Sequence, residues 1–192
     1  MFANQSGNSP GRDLVGRDSI DNSVNHIFNI AQGSAVSVEI AALYAKLETE
    51  DPETTSNSGI SGKLQHWMSM VSEGDVRGLK EKLDESGRED LLFLALNLKQ
   101  QASMAIMKRQ TSRSAQRIYT ILLSQIFTKF NLLVTPLVQA EACRAEIDER
   151  IHRVVQEVCA LLGTNALEID SDDIEGLMYF LAGNCHIRWD KC

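Results

Sequence analysis

Between Gly87 and Gly163 the chain has no glycine and a single proline, Pro136. The two residues that most often punctuate helices are nearly missing from the middle of the sequence, so this stretch reads as long helices joined by short turns. Cysteine is scarce too. Cys143, Cys159, Cys185 and Cys192 are too sparse for a disulfide scaffold, and reduced thiols are expected. No apolar run approaches the roughly 18 to 20 residues of a membrane span. The polar start, Met1 to Pro10, has no charged-then-apolar leader, and a cytoplasmic protein is expected. Basic residues are outnumbered, 19 against 26 acidic ones in 192 residues, for a net charge of −7. That balance excludes binding DNA over the whole surface. A hydrophobic content of 43% excludes wholesale disorder.

The usual signatures of catalysis and cofactor binding are missing as well. The glycine-rich start lacks the Gly-Lys-Ser/Thr ending of a phosphate loop and has no strong strand before it. His26, His66, His152 and His186 are scattered over different elements, and no Ser-His-Asp set is recognisable. Cys185, His186 and Cys192 form the one cluster resembling metal ligands, without the paired Cys-x-x-Cys or His-x-x-x-His spacing of zinc sites. Asp172, Asp173 and Glu175 suit the first turn of a helix, where they favour the positive end of its dipole. A metal-dependent hydrolase built on Asp172, Asp173 and His186 is therefore disfavoured. No cofactor and no metal are expected.

What is present is helical periodicity. From about Gly87 to Arg109, Leu91, Leu94, Ala95, Leu98, Ala102, Ala105 and Ile106 recur at three- and four-residue steps. Thr111 or Ser112 can cap the next helix, whose stripe is Ala115, Ile118, Leu122, Ile126, Phe130 and Leu133, with Pro136 ending or kinking it. A third helix, from about Arg144 to Leu162, carries Ile147, Ile151, Val154, Val155, Val158, Leu161 and Leu162, and Gly163 sits where a left-handed cap is wanted. Shorter helices are expected over Ser34–Leu47, Ile60–Val71, Asp75–Leu83 and from Ser171 or Asp172 through Leu181, with a polar linker over Glu48–Gly59. Gly183-Asn184 would then give a left-handed stop, and Ile187 and Trp189 would form the apolar edge of a short extended tail. The fold class is all-α, a helical bundle over 60–192, preceded by a helix and linker over 34–59.

Residues 1–33 differ. Gly11-Arg12-Asp13 returns as Gly16-Arg17-Asp18, and Val24, Ile27, Phe28 and Ile30 sit among asparagines. This composition predicts turns and short extended pieces, a turn or β-repeat arm that alone cannot bury its apolar side chains. It is either loose or half of an oligomerisation interface.

Charge is uneven along the chain. From Lys99 to Phe130 the charged residues are all basic: Lys99, Lys108, Arg109, Arg113, Arg117 and Lys129. This basic helix pair, 99–130, offers Lys108, Arg109, Arg113 and Arg117 to nucleic acid or to an acidic partner. Alternatively, it is a solvated face whose charges pair with the acidic C-terminal part of the same molecule or of a neighbour.

Three strings stand out. Glu73-Gly74-Asp75-Val76-Arg77-Gly78-Leu79-Lys80-Glu81-Lys82-Leu83 leads into Gly87-Arg88; Ser114-Ala115-Gln116-Arg117-Ile118-Tyr119 precedes Pro136-Leu137-Val138. The third runs Gly176-Leu177-Met178-Tyr179-Phe180-Leu181-Ala182-Gly183-Asn184-Cys185-His186-Ile187-Arg188-Trp189. Over about Ile60 to Cys192 the sequence resembles the C-terminal domain of the third component of bacterial ABC-three-component (Lamassu-like) conflict systems. Ala182 stands where the pattern leads one to expect a hydroxyl residue.

The resemblance implies an adaptor that docks an effector, often a nuclease, to an SMC- or Rad50-like ABC ATPase. The first 59 residues are too few and too polar for a nuclease, so the effector is expected as a separate polypeptide or the chain as a stand-alone adaptor. Tyr179, His186, Arg188 and Trp189 are the expected partner-binding residues or their supports, since an aromatic beside an arginine commonly anchors protein interfaces. The function expected is a non-enzymatic adaptor and homo-oligomer. A nucleic-acid-binding subunit is the alternative.

Overall fold

The computed structural model describes residues 34–50, 59–71 and 77–190. Among these residues there are helices and turns and no strand. The all-α expectation therefore holds. The Gly-Arg-Asp repeat at Gly11–Asp13 and Gly16–Asp18 lies outside the described residues, as do most of the polar linker and Cys192.

The spine is a long helix, α5 (Arg113–Leu133), which follows α1 (Ala35–Thr49), α2 (Gly62–Met68), α3 (Leu79–Glu85) and α4 (Leu92–Lys108). Ser112 caps it by accepting from the Ala115 amide at 3.0 Å, and Glu50 accepts from the Ser114 amide at 2.7 Å. Two acceptors thus meet amides that the first turn leaves unpaired. The predicted stripe is buried from Ala115 to Phe130, and Tyr119, Ile121 and Leu123 are buried beside it. Helices α1 and α2 pack on one part of α5, with Ile40, Tyr44 and Leu64 as their buried anchors.

The helix breaks at Val134, and Pro136 enters the first turn of the short α6 (Thr135–Gln139), where its missing N–H costs nothing. Next come α7 (Arg144–Cys159) and α8 (Ser171–Gly183). On α7, Ile147, Val154, Val155 and Val158 are buried as the period requires, whereas Ile151 is half-buried. Gly163 has the left-handed conformation expected of it, with φ +55°. Arg113–Gln139 is also long and apolar enough to pass as a membrane span, contrary to the sequence expectation. Its buried side chains, from Ala115 to Phe130, lie on a helix packed against α1, α2, α7 and α8, whereas Leu132 is exposed.

α8 is the central helix. Ile174 and every residue from Gly176 to Gly183 are buried, because α4, α5 and α7 all pack against it. Asp170 caps it, accepting from the amides of Asp172 (2.9 Å) and Asp173 (3.0 Å), while Asp173 accepts in return from the Asp170 amide. The cap is one residue earlier than Ser171. The α4–α8 contact is close enough that a Cβ on Gly176 would lie 2.7 Å from the Leu98 carbonyl oxygen. Only glycine fits that crossing without a backbone shift.

Four expectations are corrected. The segment 87–109 is not one helix: Gly87 at φ +67° leads into a 3-10 turn over Glu89–Leu91 before α4 begins. Leu94 is 46% exposed, because one helical step beyond it Ala95 already occupies the buried line. The third short helix starts at Leu79 with Gly78 as its N-cap residue, and Asp75 lies outside the described residues. The left-handed residue after α8 is Cys185, at φ +63°, while Gly183 is still helical.

Candidate functional site

The family-like closing string is built onto α3 by a buried lysine. Lys82 is 1% exposed, and its ammonium donates to the carbonyl oxygens of Ala182 at 2.6 Å and Ile187 at 3.3 Å. Burial pulls its pKa below the usual lysine value, and the Cys185 thiol beside it, which hydrogen-bonds the ammonium, and Asp190 oppose that pull. Cys185 in turn donates its thiol to the Arg77 carbonyl at 3.3 Å. Arg77 pairs with the buried Asp190 at 2.9 Å and with Glu85. One turn of backbone after α8 is thereby held from several sides, which supports the left-handed Cys185.

The other flank is held by the end of α2. The Trp67 carbonyl accepts from Asn184 Nδ2 and from His186 Nε2, both at 3.1 Å, and the Val71 amide donates to the Asn184 carbonyl at 3.1 Å. The His186 ring lies 5.1 Å from the Trp67 ring and 5.4 Å from His66. Burial lowers the His186 pKa, and nearby His66 and Lys82 add to the effect.

The expected partner-binding residues fall into two groups. Trp189 is 3% exposed, packed edge-on against Phe130 and tilted against Tyr179, each at 5.5 Å. Tyr179 is buried as well, and burial pushes its pKa up to about 12. Both rings are therefore packed in the core of the domain. Arg188 and His186 are partly exposed, with Arg188 Nε 3.7 Å from Asp190 Oδ1. Trp189 and Asp190 also line an open cleft of about 380 Å³, together with Glu85, Arg88, Glu141 and Arg144. Its charges are paired within the fold: Arg88 with Asp148 at 2.7 Å, and Arg144 with Asp90 at 2.7 Å.

The basic residues of 99–130 are divided. Arg117 pairs with Glu39 at 2.6 Å, and Lys129 with Glu157 at 2.5 Å. Lys108, Arg109 and Arg113 are exposed around the turn between α4 and α5. Asp172 and Asp173 belong to the cap of α8, and no cluster able to hold a metal ion occurs among the described residues.

Sequence reasoning missed Lys82 and the buried Arg88. A signal existed for Lys82: with Leu79 and Leu83 it occupies the i, i+3, i+4 positions of one apolar face. Arg88 had no such signal, as it follows a turn glycine.

The fold and the pinned closing string define a helical domain with a rigid, partly charged end. The chain belongs to the family of C-terminal domain 9 of the ABC-three-component (ABC-3C) systems, whose model matches residues 78–189. The match begins at the N-cap residue of α3 and ends at Trp189, so it includes both sides of the Lys82 clamp and leaves out α1 and α2. No curated protein and no solved structure matches the chain.

Proposed function

We propose that the domain is the non-enzymatic adaptor of a bacterial anti-phage or anti-plasmid defence complex of the Lamassu-like group. It docks an effector to an SMC- or Rad50-like ABC ATPase in the cytoplasm. The observation that carries this reading is membership of an ABC-three-component domain family over residues 78–189. The geometry adds a means: Arg188 and His186 stand half-exposed on a segment that Lys82, Arg77 and Asn184 hold in place. A pre-organised charged anchor loses little freedom on binding. The repeat at Gly11–Asp13 and Gly16–Asp18 serves self-association in this reading. Light scattering on the full chain and on a chain starting at Ser34 tests that part.

Co-purification with the product of an adjacent ABC ATPase gene tests the docking role. Arg188→Glu is expected to lower the ATPase retained by tenfold or so, about 1.4 kcal/mol, with the helical signal unchanged. Failure of the wild-type chain to retain the ATPase overturns the reading. A second reading rests on the exposed Lys108, Arg109 and Arg113: strong binding of duplex DNA by the isolated chain, falling steeply with salt, would favour a nucleic-acid-binding subunit.

A further inference from the structure

The outer face of α4 carries an exposed apolar seam. Phe93 is 81% exposed, Leu96 48%, Met104 55% and Met107 43%. The opposite face of the same helix, Ala95, Leu98, Ala102 and Ile106, is spent on the core. Large exposed apolar groups scattered singly need no explanation, but four on one helix face, in two pairs either side of Gln100, form a candidate interaction surface. At about 100° per residue the four side chains and Gln100 lie in a strip roughly 80° wide.

Two properties of the seam identify its occupant. Its spacing is palindromic: Phe93, Leu96, Met104 and Met107 stand seven and four residues before, and four and seven residues after, Gln100. A two-fold axis through Gln100 would set Phe93 against Met107 of a second copy and Leu96 against that copy's Met104. This is the self-complementarity that an isologous interface requires. Charge has the matching polarity. Glu89 and Asp90 stand at the start, Lys108 and Arg109 at the end, and between them only Lys99 is charged. An antiparallel pairing brings acidic ends to basic ends and opposes the two helix dipoles, while a parallel pairing sets like charges together. Asp90 already holds Arg144, so exposed Glu89 is the acidic group available to the second copy.

We infer that two copies of the chain pair antiparallel through the outer face of α4, with the two-fold axis at Gln100. The pairing needs neither the ATPase nor the N-terminal repeat, so the adaptor reading can fail without it.

Two measurements on the full chain test the inference. Gln100→Cys places thiols of two copies face to face, and mild oxidation with copper-phenanthroline is expected to give a covalent dimer on a non-reducing gel. Glu149→Cys, at an exposed site on α7, should give no more dimer than the wild type with its exposed Cys143. Phe93→Glu, a change at a largely exposed position, should abolish the cross-link when added to the Gln100→Cys chain, while the helical signal stays intact. A cross-link that survives Phe93→Glu, or Gln100→Cys cross-linking no better than the Glu149→Cys control, overturns the inference. A wild-type chain that scatters as a single copy would also overturn it and assign the face to a different protein.

Discussion

The ammonium of Lys82 lies 2.6 Å from the carbonyl oxygen of Ala182, one hundred residues further along, and both groups are buried. This bond joins the first helix of the family-matched region to the last. A buried cation with carbonyl partners stabilises only as a complete set, because removing the donor strands the acceptors.

Lys82→Met keeps the aliphatic stem and leaves the Ile187 carbonyl without its donor, while the Ala182 carbonyl keeps the Cys185 amide at 3.1 Å. The expected loss is about 1–3 kcal/mol, the cost of one stranded buried acceptor. Urea unfolding measures it. A change below about 0.5 kcal/mol, the size of an ordinary surface substitution, would show that the clamp contributes nothing.

Gly176 and Gly62 give a matched pair. A Cβ at Gly176 would meet the Leu98 carbonyl, while one at Gly62 has nothing within 4 Å. Gly176→Ala is expected to cost about 1–3 kcal/mol by overpacking, and Gly62→Ala to be neutral or to stabilise by up to about 1 kcal/mol. Thermal melts of the two variants side by side check the sign of each.

Trp189 and Arg188 are neighbours with opposite expectations. Trp189→Ala removes an indole packed on Phe130 and Tyr179 and should cost about 3–5 kcal/mol. Arg188→Glu should leave the melting temperature within a few degrees of wild type and act on co-purification. A Trp189→Ala protein as stable as the wild type would remove the ring from the core.

Acid should weaken the clamp through His186. Its folded pKa is held below the ordinary 6.5 by burial, with His66 and Lys82 adding to the effect. The unfolded chain then binds the proton more readily. The stabilisation is fully present above pH 6.5 and is lost as the pH falls through the folded pKa. Asp173 and Glu175, whose pKa values burial raises, act in the other direction, so a variant comparison is needed. His186→Gln should show a smaller fall in melting temperature between pH 7.5 and 5.5 than the wild type. Equal falls would remove His186 as the sensor.

The long helices were legible because their apolar residues recur at helical spacing over about three turns or more, as Ile147 to Val158 do on α7. Gly163 was legible because its left-handed conformation favours a residue without a Cβ. The stop after α8 was misplaced for the converse reason: contacts to Arg77 and Lys82 hold Cys185 in a conformation that sequence alone assigns to glycine or asparagine. The Lys82 clamp was hidden because its acceptors are main-chain carbonyls, which carry no residue signature. The burial of Trp189 was hidden too, since an alternating tail looks the same whether its apolar edge faces a partner or its own core.

The central position of α8 has a consequence for how the domain comes into being. Helices α4, α5 and α7 leave the ribosome first, and the sides they turn toward α8 stay wet until residues 171–189 have followed them out of the exit tunnel. Nascent chains therefore carry an open hydrophobic trough for as long as those residues take to be synthesised and cleared. Of the helices that build the core, the lid is the one that emerges after the others, and closure of the domain waits for it by construction.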